Sequence, residues 1–504
     1  MKFKGLLLGS AAALLAVSGA QAADLPVKAK AVEYVKICSL YGAGFYYMPG
    51  TDTCIKFGGY ARADMILGGA GDYGFRQSGT GTNAGSNNRL TDYYHSRARM
   101  DLTVDTRTAT EYGVVRTFAD MVFSWDTPGV TGSSPSAFGT GSASLGLYHA
   151  FVQFAGFTFG RTVSIFDTPW QSYPAGGPDT LPGGSNNVTG INQVAYTADF
   201  GQGITASVAL QDMTTAAGGQ SNLFNTSFAA ATPAALVTAA GTAFSTGAYG
   251  ANDWGATRSP DIVGAVRVDQ AWGLAQISAV AHEIHAAYYG TTEASGHPSD
   301  KWGWAVQGAL SIKNVPTGPG DSLNLQAVYT DGASRYNFQS LFPQSFFMFG
   351  GSGIAYQSIG IAAIADGVFG TGTGIDTVKT WGFRGGYTHN WNPYWATGLY
   401  GAYAQLKYGD TGKALICGNW VASFGAATST CNPDFNFAAV GINTVWTPVK
   451  NLAFTADLSY SRLDQKYSGT IALPAIASPA KPAAVYELKD QGSLELLLRA
   501  QRTF

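Results

Sequence analysis

The sequence predicts an all-β chain: a transmembrane antiparallel β-barrel of about 16 strands. Three observations predict it. The chain opens with an export signal, two-residue alternation of apolar and polar side chains recurs to the last residue, and short connections alternate with long ones throughout. Alternation is the mark of a strand, because successive side chains point to opposite faces of a pleated ribbon. It is clearest from Ser96 to Arg107. Arg97, Arg99, Asp101, Thr103, Asp105 and Arg107 share one face, and Ala98, Met100, Leu102 and Val104 share the other. In a soluble sheet that apolar face would be core. Many such strands behind an export signal place it against lipid instead.

Lys2 and Lys4 form a positive n-region, Gly5–Val17 an apolar h-region, and Ala20-Gln21-Ala22 a small-residue cleavage site. We expect a signal peptide over residues 1–22, cut before Ala23, rather than an N-terminal helix of the mature chain. Two further regions are expected, an N-terminal disulfide segment over 23–54 and the barrel over 55–504. Without the leader, 28 basic residues face 32 acidic ones. That net charge of about −4 argues against a nucleic-acid partner. Charged residues make up only 12%, about half the usual share, while Gly numbers 65 of 504 and aromatic residues reach 13%. Beyond the leader, no apolar run is long enough for a membrane helix. Phe228–Phe244 is Ala/Thr-rich, broken by Pro233, and reads as loop.

Each element follows in order. Ile55, Phe57, Ala61, Ala63 and Met65 alternate with Lys56, Tyr60, Arg62 and Asp64. A polar loop leads to the Ser96 strand and a tight turn near Thr108–Glu111. Val115, Ala119, Met121 and Phe123 then oppose Arg116 and Asp120, and Tyr148, Ala150, Val152 and Phe154 oppose His149 and Gln153. A short turn at Gly156 starts a strand with Phe157 and Phe159. There parity sets Arg161 beside the phenylalanines, so it is either bulged inward or buried between subunits. Phe166–Gly190 is a long loop with four prolines. The pattern resumes at 192–199, 204–212, 261–269, 276–282, 302–313 and 322–331. Trp381, Phe383 and Tyr387 oppose Thr380, Arg384 and Thr388. Tyr394, Ala396, Tyr400, Ala402 and Leu406 form the apolar side of the next strand. Phe435–Thr447 and Leu452–Ser461 make a hairpin. The last strand alternates to Phe504, with Arg502 breaking its apolar side at head-group level. Even parity returns both termini to the short-turn side.

Cys38, Cys54, Cys417 and Cys431 permit three pairings. The two close pairs are the natural ones in an exported chain, and their spacing is too wide for a metal knuckle. No cofactor or metal is expected. His282-Glu283-Ile284-His285 lacks the spacing of a helical zinc motif, and no nucleophile elbow is present, so we read no enzyme here.

The stretches Ala23–Lys30, Val35–Asp64, Gly156–Arg161 and Leu498–Phe504 resemble those of alphaproteobacterial outer-membrane porins. The resemblance implies a 16-stranded trimeric barrel that passes small hydrophilic solutes and ions by passive diffusion. Expected partners are the outer-membrane lipid and lipopolysaccharide, two further copies of the chain, and the barrel-assembly machinery, which would read Phe504. The loop Phe166–Gly190 would narrow the pore, offering Asp167 and Asp179. Lys56, Arg62, Arg97, Arg99 and Arg116 would face it from three consecutive strands, with Arg384 further off. Acids opposite a basic wall would set up a field across the passage. The alternatives are a channel selective for a sugar or anion, with Tyr60 and Tyr403 as aromatic surface, and a structural or adhesive barrel with a plugged lumen.

Overall fold

The computed structural model describes residues 36–68, 94–127, 142–176, 181–216, 222–228, 254–338, 346–475 and 481–504. The expected signal peptide and most of Phe228–Phe244 lie outside them. Sixteen strands close into an antiparallel barrel in which every strand pairs with its sequence neighbour and the last pairs with the first. They are β1 (Cys54–Gly68), β2 (Tyr94–Thr110), β3 (Gly113–Asp126), β4 (Ser142–Phe154), β5 (Phe157–Thr162), β6 (Ile191–Asp199), β7 (Ile204–Asp212) and β8 (Asp261–Gln270). The second half comprises β9 (Gly273–Ile284), β10 (Lys301–Lys313), β11 (Ser322–Asp331), β12 (Lys379–Asn392), β13 (Trp395–Lys407), β14 (Phe435–Val449), β15 (Leu452–Gln465) and β16 (Gln491–Thr503). Seven short connections lie at one end and eight long ones at the other.

The outward face is apolar, as alternation requires. Ile277, Val266 and Leu145 are 66%, 52% and 69% exposed there. Exposed rings gather at the two rims: Tyr112, Trp272, Trp391 and Tyr394 at the short-turn end, and Trp125, Trp302, Trp304 and Trp381 at the other. An apolar belt between aromatic girdles is how a barrel meets hydrocarbon and head groups. Closure runs in register from Tyr60↔Thr503 to Gly68↔Glu495. Beyond the last strand, Tyr46–Tyr47 pairs with Cys54–Ile55 and continues the wall. The Cys38–Cys54 disulfide, with a Cα separation of 6.0 Å, ties the preceding segment to the inner side.

One strand corrects the sequence reading. Tyr400, Ala402 and Leu406 point into the barrel and are buried, while Leu399 and Tyr403 face outward. Tyr403 packs on Trp381 and Phe383 on that outer face. The alternation itself is intact; the faces are exchanged. The inward residues of β13 and β14 are apolar because external segments fold in and cover them. Phe346, Met348, Ile359 and Ile361, on the paired strands Phe346–Gly350 and Gln357–Ala362, pack against Tyr400, Ala402, Leu406, Phe435 and Phe437. Those strands belong to a five-stranded sheet with Ala484–Leu488, Ser468–Leu473 and Ser429–Thr430. Asp410–Phe424, for which no element was expected, is a helix, and Cys417 pairs with Cys431 at a Cα separation of 5.5 Å.

Arg161 lies on the outward side, level with Ala150 and Asn192. It is not bulged inward, the first of the two expected alternatives. Nε donates to the Leu147 carbonyl at 3.0 Å and Nη1 to the Thr215 carbonyl at 2.5 Å. β5 has only six residues and meets β4 only over Ala150–Phe154. The guanidinium therefore caps backbone that a longer strand would have covered.

Substituting Ile277 by Arg should destabilise the barrel by about 2–4 kcal/mol, the cost of a charge near mid-bilayer. Unfolding in lipid vesicles measures it, and an unchanged midpoint would place this face away from lipid. A second test concerns Asp321, in the turn before β11. Burial opposes its ionisation. Hydrogen bonds from Thr317, the Asn390 amide, His389 and Tyr387, at 2.6 to 2.8 Å, outweigh it and hold the carboxyl well below the usual range. A depressed carboxylate stabilises the fold above its unfolded pKa of about 4 and loses that contribution as pH falls below it. Asp321→Asn should be less heat-stable than the parent at pH 7, with the gap closing towards pH 2. A gap independent of pH would contradict this account.

Candidate functional site: a seated loop and a charged wall

The loop between β5 and β6 turns into the lumen and lies along the inner side of β9–β14. A loop inside a barrel brings unpaired backbone carbonyls, which need donors. The wall supplies them. Gln276 Nε2 reaches the carbonyls of Phe166 and Asp167 at 3.2 and 3.1 Å, and Gln307 Nε2 reaches Phe166 at 2.9 Å. Asn324 donates to Pro174 O at 2.5 Å and Asn443 to Ala175 O at 2.7 Å. Arg384, 1% exposed, donates to the carbonyls of Leu181, Gly184 and Ser185 at 3.2, 3.3 and 2.7 Å and to Gln326 Oε1 at 2.9 Å. Asp167, 2% exposed, closes the loop on itself by accepting the Asn187 amide at 2.6 Å. Burial pushes its carboxyl up from the ordinary value, and Ser185, Asn187 and Arg384 pull it back. The approach is close: a Cβ on Gly398 would lie 2.2 Å from the Ala175 carbonyl oxygen.

A second segment, Gly332–Phe338, also enters the barrel. The Tyr336 ring packs 4.7 Å from that of Phe166, and its hydroxyl donates to Asp261 Oδ2 at 2.5 Å. Asp261 Oδ1 pairs with His282 Nδ1 at 2.7 Å. Ser334 donates through N and Oγ to Asp366, each at 2.7 Å. Arg335 is fully buried in this group, and burial pushes its guanidinium down while the neighbouring tyrosine and aspartates oppose the shift.

The wall from β1 to β4 is different. Its inward residues form level rows. At the short-turn end Cys54, Arg107, Arg116 and Gln153 are aligned, then Lys56, Asp105, Phe118 and Phe151, then Gly58, Thr103, Asp120 and His149. Above them come Tyr60, Asp101 and Val122; Arg62, Arg99 and Ser124; and Asp64, Arg97 and Asp126. Arg97 pairs with Asp126 at 2.5 Å, and Arg62 and Arg499 both reach Asp64, at 3.2 and 2.7 Å. Arg99 donates to Ser124 Oγ at 2.9 Å. Arg107 and Arg116 converge on Asp105, each at 3.0 Å, with side chains more than a quarter exposed.

A closed 16-strand barrel with a loop seated inside matches the family described as the porin subfamily over residues 24–497. The chain belongs to the porin family. The family and the barrel together put this porin in the outer membrane. It is 37% identical over 217 residues to the porin Omp2b of Brucella suis biovar 1, covering 42% of this chain and 54% of that one. Another Brucella suis Omp2b is 35% identical over 231 residues, 45% of this chain and 56% of its own. This porin thus spans about half the length of the curated relatives it matches. The outer-membrane channel DcaP of Acinetobacter baumannii shares the fold, with a TM-score of 0.55, 15% identity, and coverage of 91% of this porin and 99% of that chain.

In this porin the expected residues fall into two groups. Lys56, Arg62, Arg97, Arg99 and Arg116 stand together on the β1–β3 wall. Asp167 and Arg384 lie in the seam between loop and opposite wall, buried in hydrogen bonds. Asp179 lies outside the described residues. Arg107, Arg499 and the acids Asp64, Asp101, Asp105, Asp120 and Asp126 share the open wall and were not singled out. Inward parity would have found all of them. The loop's amide donors, Gln276, Gln307, Asn324 and Asn443, carry no motif.

Replacing Arg384 with Lys removes the planar set of donors while keeping charge. We expect about 1–3 kcal/mol less stability, from buried loop carbonyls left without donors, and a noisier, larger ion current with strand content unchanged. Circular dichroism and bilayer recording read both. An unaltered current would mean that the loop does not depend on Arg384.

Proposed function

We propose that this porin forms a water-filled channel for passive diffusion of small hydrophilic solutes and ions, and that it catalyses no reaction. The observation that carries the reading is the division of the lumen. Inward residues of β9–β12 such as Gln307, Thr330 and Arg384 are sealed under the infolded segments at 0–1% exposure, whereas the side chains of Arg107 and Arg116 on the facing wall remain 29% and 28% exposed. A passage bounded by the seated loop and the β1–β4 wall accounts for that contrast. Lys56, Arg62, Arg97, Arg99 and Arg116 would line it, and Asp167 and Arg384 would hold the loop at its width. Charges along a narrow, low-dielectric passage order water and solute.

We also infer that the protein matures by removal of residues 1–22 and is inserted by the barrel-assembly machinery through a terminal signal that includes Phe504, which is 55% exposed. Lipid and lipopolysaccharide would then surround the belt. A homotrimer is supported by small outward residues Ala61, Ala63, Ala98, Ala143 and Ala500, which line one groove across the closure where bulky neighbours could seat.

The test is reconstitution in planar bilayers. The parent should conduct, and Arg97→Ala combined with Arg99→Ala should shift the reversal potential towards cations. Conductance without any shift would take both arginines out of the passage, and no conductance or sugar-driven vesicle swelling would favour a plugged structural barrel.

A further inference from the structure

Charge is balanced along most of the β1–β4 wall but not at its short-turn end. In the upper rows Arg62, Arg97, Arg99 and Arg499 stand against Asp64, Asp101, Asp120 and Asp126, four against four. In the two lowest rows Lys56, Arg107 and Arg116 stand with Asp105, three cations against one side-chain carboxylate among the described residues.

The surplus cations rest on aromatic rings. The Arg107 guanidinium lies 5.0 Å from the centre of the Phe45 ring and 5.7 Å from that of Tyr41. The Lys56 ammonium lies 5.8 Å from Phe45. Arg116 lies 5.2 and 5.4 Å from Phe118 and Phe151, whose rings stack at 5.4 Å on the inward face and are half-buried. A ring beneath a guanidinium steadies its plane without consuming any N–H. Arg107 uses Nε and Nη2 on Asp105, at 3.2 and 3.0 Å, and among the described residues Nη1 makes no hydrogen bond. Lys56 is exposed.

A net positive donor edge therefore sits beside apolar ring surface at one mouth of the lumen. An inorganic anion would use the charge and ignore the rings. A neutral sugar would use the rings and gain nothing from the charge. An organic monoanion with a flat or compact apolar body uses both. We propose that this mouth is a binding subsite for small monocarboxylates of that kind. Arg107 and Lys56 take the carboxylate, and Phe118 and Phe151 take the body. The site rests on the channel reading above and deepens it. Weak, one-sided binding is what a conducting pore tolerates, since a solute must leave as readily as it enters.

Benzoate and acetate are the probes, added to either side of oriented channels conducting potassium chloride. From the short-turn side, benzoate should half-block at a concentration at least about fivefold below acetate. That ratio is the contribution of the rings. Arg107→Ala should raise the benzoate value about tenfold and Lys56→Gln about threefold, as charge-assisted hydrogen bonds are lost. Arg462→Gln, in an exposed pair with Asp490 on the outer face at the other end, should change it less than about twofold. If Arg107→Ala does not fold, Lys56→Gln carries the test, because that side chain is exposed. Equal block by benzoate and acetate overturns the proposal while leaving the channel intact, as does equal sensitivity of Arg462→Gln and Lys56→Gln. A parent protein without potassium chloride current overturns the channel reading, and this site with it.

Discussion

A strand edge in hydrocarbon has no water to take up its N–H and C=O groups, and this requirement governs the rest of the molecule. It demands closure, which β16 provides by pairing with β1 over the nine registers from Tyr60 to Gly68. It also explains the short-turn rim, where Tyr46–Tyr47 continues the wall beyond the C-terminus and the Phe504 amide donates to Gly59 O at 3.1 Å. The same requirement accounts for Arg161. The wall thins where β5 ends after six residues and the chain turns inward, and a guanidinium fastens two carbonyls across the outer face. A charged side chain in that setting is tolerable because its donors meet backbone acceptors rather than lipid.

Closure creates a second problem, which the lumen solves. Segments that fold inside a barrel carry backbone into a confined space where strand pairing is already complete. Here one wall is built as a row of donors. Gln276, Gln307, Asn324 and Asn443 all give side-chain N–H groups to loop carbonyls, and Arg384 gives to three more. Glycines such as Gly398 leave room for the contact. Further towards the long-loop end, apolar packing replaces hydrogen bonding, with Tyr400, Phe435 and Phe437 gathered under the strands at 346–362. The enclosed face is thus part polar interior, part core and part channel wall.

That division marks what could be read from sequence. Outward parity was plain at Ile277, Trp381 or Leu498, because lipid asks the same thing of every strand. The strand count and the short and long connections followed from it, and the two close cysteine pairs from their spacing in an exported chain. Tyr400, Ala402 and Leu406 misled because an apolar face was equated with a lipid face. Alternation reports which residues share a side, not which side is wet, and a second apolar environment inside the barrel makes the two indistinguishable. Asp410–Phe424 was missed because its apolar residues keep to no single helical face. Arg384 was placed correctly on the inward side, but parity cannot tell whether an inward arginine meets water or a loop. Its partners lie some 200 residues away, at Leu181, Gly184 and Ser185.

The choice of residue type on the two walls then has a common cause. Amides satisfy carbonyls without leaving a counter-charge to bury, so they suit the wall that the loop covers. Arg384, the charged member of that set, comes with Asp167 in the loop it holds. Ion pairs are less costly where water reaches them, as it does at the partly exposed Arg107 and Arg116, although the Asp105 carboxylate they share is itself buried. A loop docked on amides leaves the charges for the side it does not cover. The position of the passage we propose then follows from two things, where the loop is held and where the charged side chains stand, and both favour β1–β4.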